Sequence, residues 1–191
     1  MPRLAEPTAV QPVESAMVPR LFRLVDRRQD TADTFTIMLE PNDGVPLAFI
    51  PGQFTMLSAF GVGEVPISVS GDAHVAGPLQ HTVRDVGAVT HALARTAVGD
   101  VMGVRGPYGT GWDVADGHSR DVVFVGGGIG LAPLRPAVLE VLAHREDYGR
   151  VVLMYGARSP EELLFVDELK VLGGRGARLS ALAVAIGGDS E

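Results

Sequence analysis

From Arg20 to about Trp112 the apolar residues come in short runs, broken every few positions by turn-forming residues. Stretches of β-type composition fall at 21–27, 35–39, 54–59, 67–70, 79–84 and 101–105. Between them stand Pro41-Asn42-Asp43-Gly44, Pro51-Gly52, Gly61-Val62-Gly63 and Ala76-Gly77-Pro78, which favour reversals over continued strand. One segment departs from this pattern. At 88–96, Val89 and Leu93 are spaced by four, which predicts a helix with one face on a core, ended by Gly99-Asp100. Six short strands with one inserted helix predict a small antiparallel barrel.

The pattern changes after Trp112. A continuous apolar run at 122–125 leads into a glycine cluster and a helical stretch at 131–144, and a second apolar run follows at 151–155. A further helix is expected to begin at Ser159-Pro160-Glu161-Glu162, with Ser159 as N-cap, Pro160 in the first helical position and the two glutamates favouring the positive helix end. Strand, helix, strand, helix with apolar strands predicts a parallel sheet covered on both faces. The stretch 178–186 fits either a third strand or a helix. Only 71 residues run from Asp121 to Glu191, room for some two βαβ units where a doubly wound domain carries about five or six strands. The expected fold class is therefore β plus α/β, a six-stranded antiparallel barrel followed by an incomplete parallel nucleotide-binding sheet. Its divisions are a flexible proline-rich arm at 1–19, the barrel at 20–114 and the α/β domain at 119–191.

Composition narrows the function. The chain has 191 residues, 46% hydrophobic and 20% charged, enough apolar content for a packed core. Its net charge is −7 and Lys170 is the lone lysine, so a nucleic-acid partner is not expected. The absence of cysteine excludes disulfides, thiolate metal sites, a cysteine nucleophile and any cysteine-held iron–sulfur cluster within this chain. Residues 1–19 contain four prolines and no apolar core of a secretion signal, and no apolar run reaches about 18 residues. The expectation is a soluble cytoplasmic protein without membrane insertion.

The densest candidate is Val125-Gly126-Gly127-Gly128-Ile129-Gly130-Leu131-Ala132-Pro133, between an apolar strand and a helix. Glycines there let the backbone approach a ligand, and free amides at a helix start favour an anion. The spacing departs from G-x-G-x-x-G because Leu131 takes the place of the last glycine, and a tight turn without ligand is the alternative. Gly87-Ala88-Val89-Thr90 opens the barrel helix and suits a diphosphate, or is simply a run of small residues at a helix start. On 64–70, alternation places Pro66, Ser68 and Ser70 on one face and Val65, Ile67 and Val69 on the other. Those hydroxyls either bond a ring system or face solvent. Histidines 74, 81, 91, 118 and 144 show no metal-ligand spacing, so no metal site is expected. No catalytic Ser/His/Asp arrangement is legible, and Tyr108 with Trp112 reads as packing.

Taken in order, four stretches resemble the ferredoxin reductase superfamily: Pro51-Gly52-Gln53-Phe54, Val65-Pro66-Ile67-Ser68, Gly106-Pro107-Tyr108-Gly109, and 126–133 followed by Tyr155-Gly156-Ala157-Arg158. The resemblance spans about 20–170 and is nearest to nickel–iron hydrogenase gamma subunits and to the sulfite reductase and dihydroorotate dehydrogenase electron-transfer subunits. It implies an FAD-binding barrel ahead of an NAD(P)-binding domain, and a subunit passing electrons between NAD(P)H and, via FAD, an iron–sulfur partner of a hydrogenase-type complex. By that resemblance Pro66, Ile67 and Ser68 line the flavin ring and ribityl chain, and His81, Thr82 and Val83 run along the ring edge. Gly87, Val89 and Thr90 hold the diphosphate. Gly127, Gly128, Gly130 and Pro133 receive the nicotinamide nucleotide, with Gly156 and Arg158 at the next strand end. Two departures stand out: Val65 occupies a position where many relatives carry arginine, and the cysteine-rich cluster segment of relatives has no counterpart. A C-terminally truncated chain is thus expected, and the alternative function is a barrel serving as a non-catalytic docking or assembly subunit. The residues do not choose between NAD and NADP.

Overall fold

The structure, a computed structural model, describes residues 17–174 and the backbone of 179–185. The proline-rich arm expected at 1–19 lies outside the described residues up to position 16.

Six antiparallel strands form the first sheet: β1 (Arg20–Gln29), β2 (Thr34–Pro41), β3 (Phe54–Ala59), β4 (Gly63–Ser68), β5 (Leu79–Arg84) and β6 (Val101–Tyr108). Their order is β4-β3-β6-β1-β2-β5. The sheet curls until its edge strands, β4 and β5, face each other, and the single bridge Val69↔His81 joins them. The barrel is therefore open along this seam. Its inward residues include Phe22, Leu24, Phe35, Ile37, Leu57 and Met102, all essentially inaccessible to water. Strand alternation supplies them: Phe22 and Leu24 point inward while Leu21 and Arg23 point out. A bulge between Leu24 and Asp26 then shifts the register against β2. Helix α1 (Ala88–Arg95) plugs one end, burying Leu93 and packing Val89 against the same core.

The second sheet holds three parallel strands, β7 (Val122–Gly127), β8 (Val151–Ala157) and β9 (Leu179–Ala185), in the order β7-β8-β9. The ambiguous stretch at 178–186 is thus a strand over its described part. Helices α2 (Leu131–Ala143) and α3 (Val166–Gly174) make the crossovers. Both crossovers step in the same direction, and a right-handed βαβ connection then puts both helices on one face. That face carries the second core, where Val138 and Val141 of α2 pack with Phe124, Leu153 and Tyr155.

The expectation of a sheet covered on both faces is corrected here. Among the described residues, the face opposite the helices leaves Val123, Val125 and Met154 exposed to 55%, 67% and 42%. Among the described residues the chain does not step to the other side of β7, and no crossover helix of theirs covers that face. The helix expected from Ser159 is also revised. Pro160–Glu162 forms one tight turn without a side-chain cap from Ser159. The chain then breaks at Phe165, which has φ 55°, before α3 begins.

Candidate functional site

β7 delivers the glycine cluster to the end of the parallel sheet. A tight turn, Gly128–Gly130, separates it from α2. The glycines serve different ends. A Cβ on Gly126 would come within 2.9 Å of Leu134, so that glycine lets strand and helix pack. Gly128 has φ +51° and no atom within 4 Å of where a Cβ would stand, and Gly130 is equally open. Gly127 is open except for the carbonyl of Gly156, its register partner on β8, at 3.9 Å. Three of the four glycines thus border free space where a ligand can approach the backbone. The first turn of α2 has no acidic residue, so its positive end meets no local counter-charge. Pro133 stands in that turn and is half-buried.

The loop is pinned from below. The Tyr155 hydroxyl donates to the Gly128 carbonyl at 3.1 Å and accepts from the Leu164 N–H at 3.1 Å. Burial pushes its phenol pKa up, which keeps it a donor. Beyond β8, Arg158 is exposed and forms a two-bond ion pair with Glu162 at 2.8 and 3.0 Å. That hydrogen bonding raises the guanidinium pKa further.

β5 connects this loop to the barrel. It touches the Gly128–Gly130 turn and runs on into α1 through Gly87. Gly87 is an extended N-cap with φ −158°, exposed, and open where a Cβ would stand. Thr90 turns inward: its hydroxyl accepts from the N–H groups of Val86 and Gly87 at 3.0 and 2.9 Å and donates to the Gly87 carbonyl at 3.0 Å. It acts as an internal cap for the Val86 and Gly87 amides and does not engage those of Ala88 and Val89. A cavity of about 610 Å³ opens here beside Gly87, Ala88, Asp85 and His91. The Asp85 carboxylate is taken up by His91 Nδ1 at 2.8 Å.

Along the seam, Pro66 is exposed, Ile67 turns to the core and Ser68 is half-buried. Ser70 does not share their outward face: the strand ends at Ser68, and Ser70 is buried. His81, Thr82 and Val83 are buried too, main chain included. His81 Nδ1 donates to the Ser68 carbonyl at 2.9 Å, which leaves Nε2 to accept from the Thr55 hydroxyl at 3.1 Å. Burial pulls its pKa down to about 4 against the opposing pull of the Ser68 carbonyl. The neutral imidazole thus ties β5 to β4 and β3 beside the seam's Val69↔His81 bridge. Beside it, Thr82 bonds Thr36 at 2.8 Å and Ser70 at 3.0 Å, and Thr36 donates to Asp30 at 2.6 Å.

Sequence reasoning missed Arg135. It reaches from α2 to the Ser70 carbonyl in the barrel, bonds both oxygens of Glu168 on α3 at 2.6 and 2.7 Å, and lies over the Phe165 ring. Its signal was the lone cation of that helix, one turn past the glycine loop. Also missed were the hydroxyl of Tyr155 and the meeting of His74 with His144.

The chain is thus a two-module protein, an antiparallel barrel with an open seam joined through β5 to a parallel sheet that ends in a glycine loop. Residues 124–186 match the family model described as "Oxidoreductase NAD-binding domain". The chain is 39% identical over 124 residues to sulfhydrogenase 1 subunit gamma of Pyrococcus furiosus, covering 65% of this chain and 42% of that one. It is 37% identical over 163 residues to the ferredoxin–NAD(+) reductase component of the alkene monooxygenase system of Xanthobacter autotrophicus, covering 84% and 49%. Its fold matches a mutant ferredoxin–NADP+ reductase from Plasmodium falciparum with TM-score 0.77 at 13% identity, covering 94% and 75%. In sequence and fold the chain is similar to proteins of the ferredoxin reductase superfamily. It spans less than half the length of these two curated relatives.

Proposed function

We propose that this chain is the flavin- and nucleotide-binding part of an electron-transfer subunit, passing electrons between NAD(P)H and, via FAD, an iron–sulfur partner of a hydrogenase-type complex. The observation that carries the reading is the junction at β5. Two helix starts without acidic first-turn residues, at Gly87 and at the 127–130 loop, are brought to the two ends of one strand–turn contact. The residues fit such a group: Gly87, Gly128 and Gly130 all leave open space where a side chain would otherwise stand.

In this reading the barrel, 20–114, holds FAD, and the module from 119 onward holds the nucleotide. Pro66, Ser68 and the main chain of Ile67 would lie against the ring and ribityl chain, and the buried segment His81, Thr82 and Val83 would back the ring edge. The diphosphate rests on the amides at Gly87 and Val89, with Thr90 fixing the turn that presents them. Gly127, Gly128, Gly130 and Pro133 receive the nicotinamide nucleotide, flanked by Gly156 and Arg158. When bound, FAD supplies hydride exchange with the nucleotide and single-electron exchange with the partner. The chain's own work is positional: Tyr155 holds the glycine loop, Arg135 holds the two modules together, and neutral His81 keeps positive charge off the seam. The partner supplies the iron–sulfur cluster, since this chain has no cysteine. A cytoplasmic setting without nucleic-acid contact fits the net charge of −7. Among the described residues no helix is long and apolar enough to cross a membrane.

The test is binding of FAD by the purified chain, followed by anaerobic addition of NADH or NADPH. The chain should turn yellow and bleach with one of them. Gly87→Glu places a carboxylate at the diphosphate position without strain, since extended backbone accepts any residue and the site is open. It should weaken FAD binding about tenfold or more while the melting temperature stays the same. Failure to bind FAD, or equal binding by both proteins, refutes the reading. The uncovered face at Val123, Val125 and Met154 favours one alternative, a docking or assembly subunit. FAD binding without any response to either nucleotide would select it.

A further inference from the structure

His74 and His144 are 70 positions apart in sequence, yet their rings meet edge to face with centroids 5.3 Å apart. His74 sits on the loop between β4 and β5, its N–H held by the Asp72 carboxylate at 2.9 Å. Glu140 stands on the last turn of α2, and His144 four residues later caps that helix, so both project from the same side. His74 Nε2 is 2.5 Å from one Glu140 oxygen, and His144 Nδ1 is 3.2 Å from the other. All three residues offer ligand atoms within 4.8 Å of one another.

We propose that His74, Glu140 and His144 form a binding site for a divalent cation of the zinc class, which clamps the barrel's β4–β5 loop onto α2. Two imidazole nitrogens with one carboxylate are a donor set suited to zinc, cobalt or nickel rather than to calcium or magnesium. Four-coordinate zinc with bonds of about 2.0–2.1 Å holds its ligand atoms about 3.3 Å apart, so the His74–Glu140 pair, now at 2.5 Å, must open while the widest pair, within 4.8 Å, must close. Both imidazoles are half-exposed, with side-chain accessibilities of 42% and 48%, and can turn to do so. The cation replaces the hydrogens that now lie between the imidazoles and the carboxylate, and the fourth position stays open to solvent. Because the ligands come from both modules, the clamp acts on the same junction that Arg135 ties through the Ser70 carbonyl. This inference does not depend on the flavin reading.

The experiment uses the full chain, free of any polyhistidine tag and stripped of metal with a chelator. It is titrated with Zn²⁺ by calorimetry and with Co²⁺ by visible absorption, and melted with and without Zn²⁺. Expected are one Zn²⁺ per chain, the intense bands of four-coordinate cobalt and a raised melting temperature. His74→Ala and His144→Ala should each weaken binding about tenfold or more and abolish the thermal shift. His91→Ala, which removes the imidazole paired with Asp85 on α1, should change neither. Melts in chelator show that the variants fold. No stoichiometric binding by the wild-type chain, or undiminished binding by His74→Ala and His144→Ala, overturns the proposal.

Discussion

Replacing His81 by glutamine separates its charge behaviour from its packing. The wild-type imidazole is fully buried, neutral, and bonded at both nitrogens across the open seam. Its pKa is about 4 in the folded chain against an ordinary 6.5. The unfolded chain therefore takes up a proton as pH falls through about 6.5, while the folded chain does so only near 4. The stabilisation is fully present above the unfolded pKa and is lost progressively as pH falls toward the folded one. At about 1.4 kcal/mol per pH unit, the difference amounts to about 3 kcal/mol lost over that interval. Glutamine can donate to the Ser68 carbonyl and accept from Thr55 but does not titrate. Urea unfolding followed by the fluorescence of Trp112, the sole tryptophan, reports on the barrel because its ring packs over Gly52. Carboxylates held low by arginine partners, Asp43 by Arg20 and Glu64 by Arg105, add slope of their own at acid pH. They do so equally in both proteins and cancel in the difference. The wild type should lose its advantage over His81→Gln as pH drops from about 7 to about 4.5. If the two stability curves run parallel across that range, the imidazole is not held neutral and the account of the seam is wrong.

Three further outcomes follow from the geometry. Gly128→Ala forces a side chain into the left-handed region and should cost about 1 kcal/mol, whereas Gly130→Ala, at φ −62° and in open space, should be neutral or slightly stabilising by denaturant melts. Tyr155→Phe removes the donor to the Gly128 carbonyl and strands the buried Leu164 N–H, a loss of about 1–3 kcal/mol by the same melts, with hydrogen exchange rising at Leu164. Changing Val123, Val125 and Met154 together to threonine should leave stability within about 1.5 kcal/mol while lowering the binding of a hydrophobic dye, because these side chains already face water.

Much of this fold is legible in sequence because its punctuation is local. A strand edged by Pro51-Gly52 has few other conformations, and most observed strands begin and end close to where composition places them; β4 is the exception, running over Gly63–Ser68 where 67–70 was expected. The glycine loop is legible for the same reason, since a strand running into clustered glycines has few alternatives to a turn. What local pattern does not show is which side chain meets which across the molecule. Nothing local sets the histidine of β5 apart from the other four, yet barrel curvature brings Thr55 and the Ser68 carbonyl onto it and buries it completely. Thr82 is polar in sequence and inward in space because Ser70 and Thr36 close around its hydroxyl.

The apolar runs of β7 and β8 carry the same lesson at the level of topology. Their composition predicts cover on both faces, but cover depends on the direction of the crossovers, and direction is not written in any single strand. Two right-handed crossovers in the same sense place α2 and α3 together and leave Val123, Val125 and Met154 bare. An apolar residue on such a strand therefore records that something packs there, not that the described chain provides it. The same reasoning separates the glycines of the loop: Gly126 is explained by Leu134 within the described chain, whereas Gly128 and Gly130 meet nothing in it. In the proposed reading the open backbone at Gly130 and the bare face of the parallel sheet are the two places where a second molecule would rest, since neither is filled by the described residues.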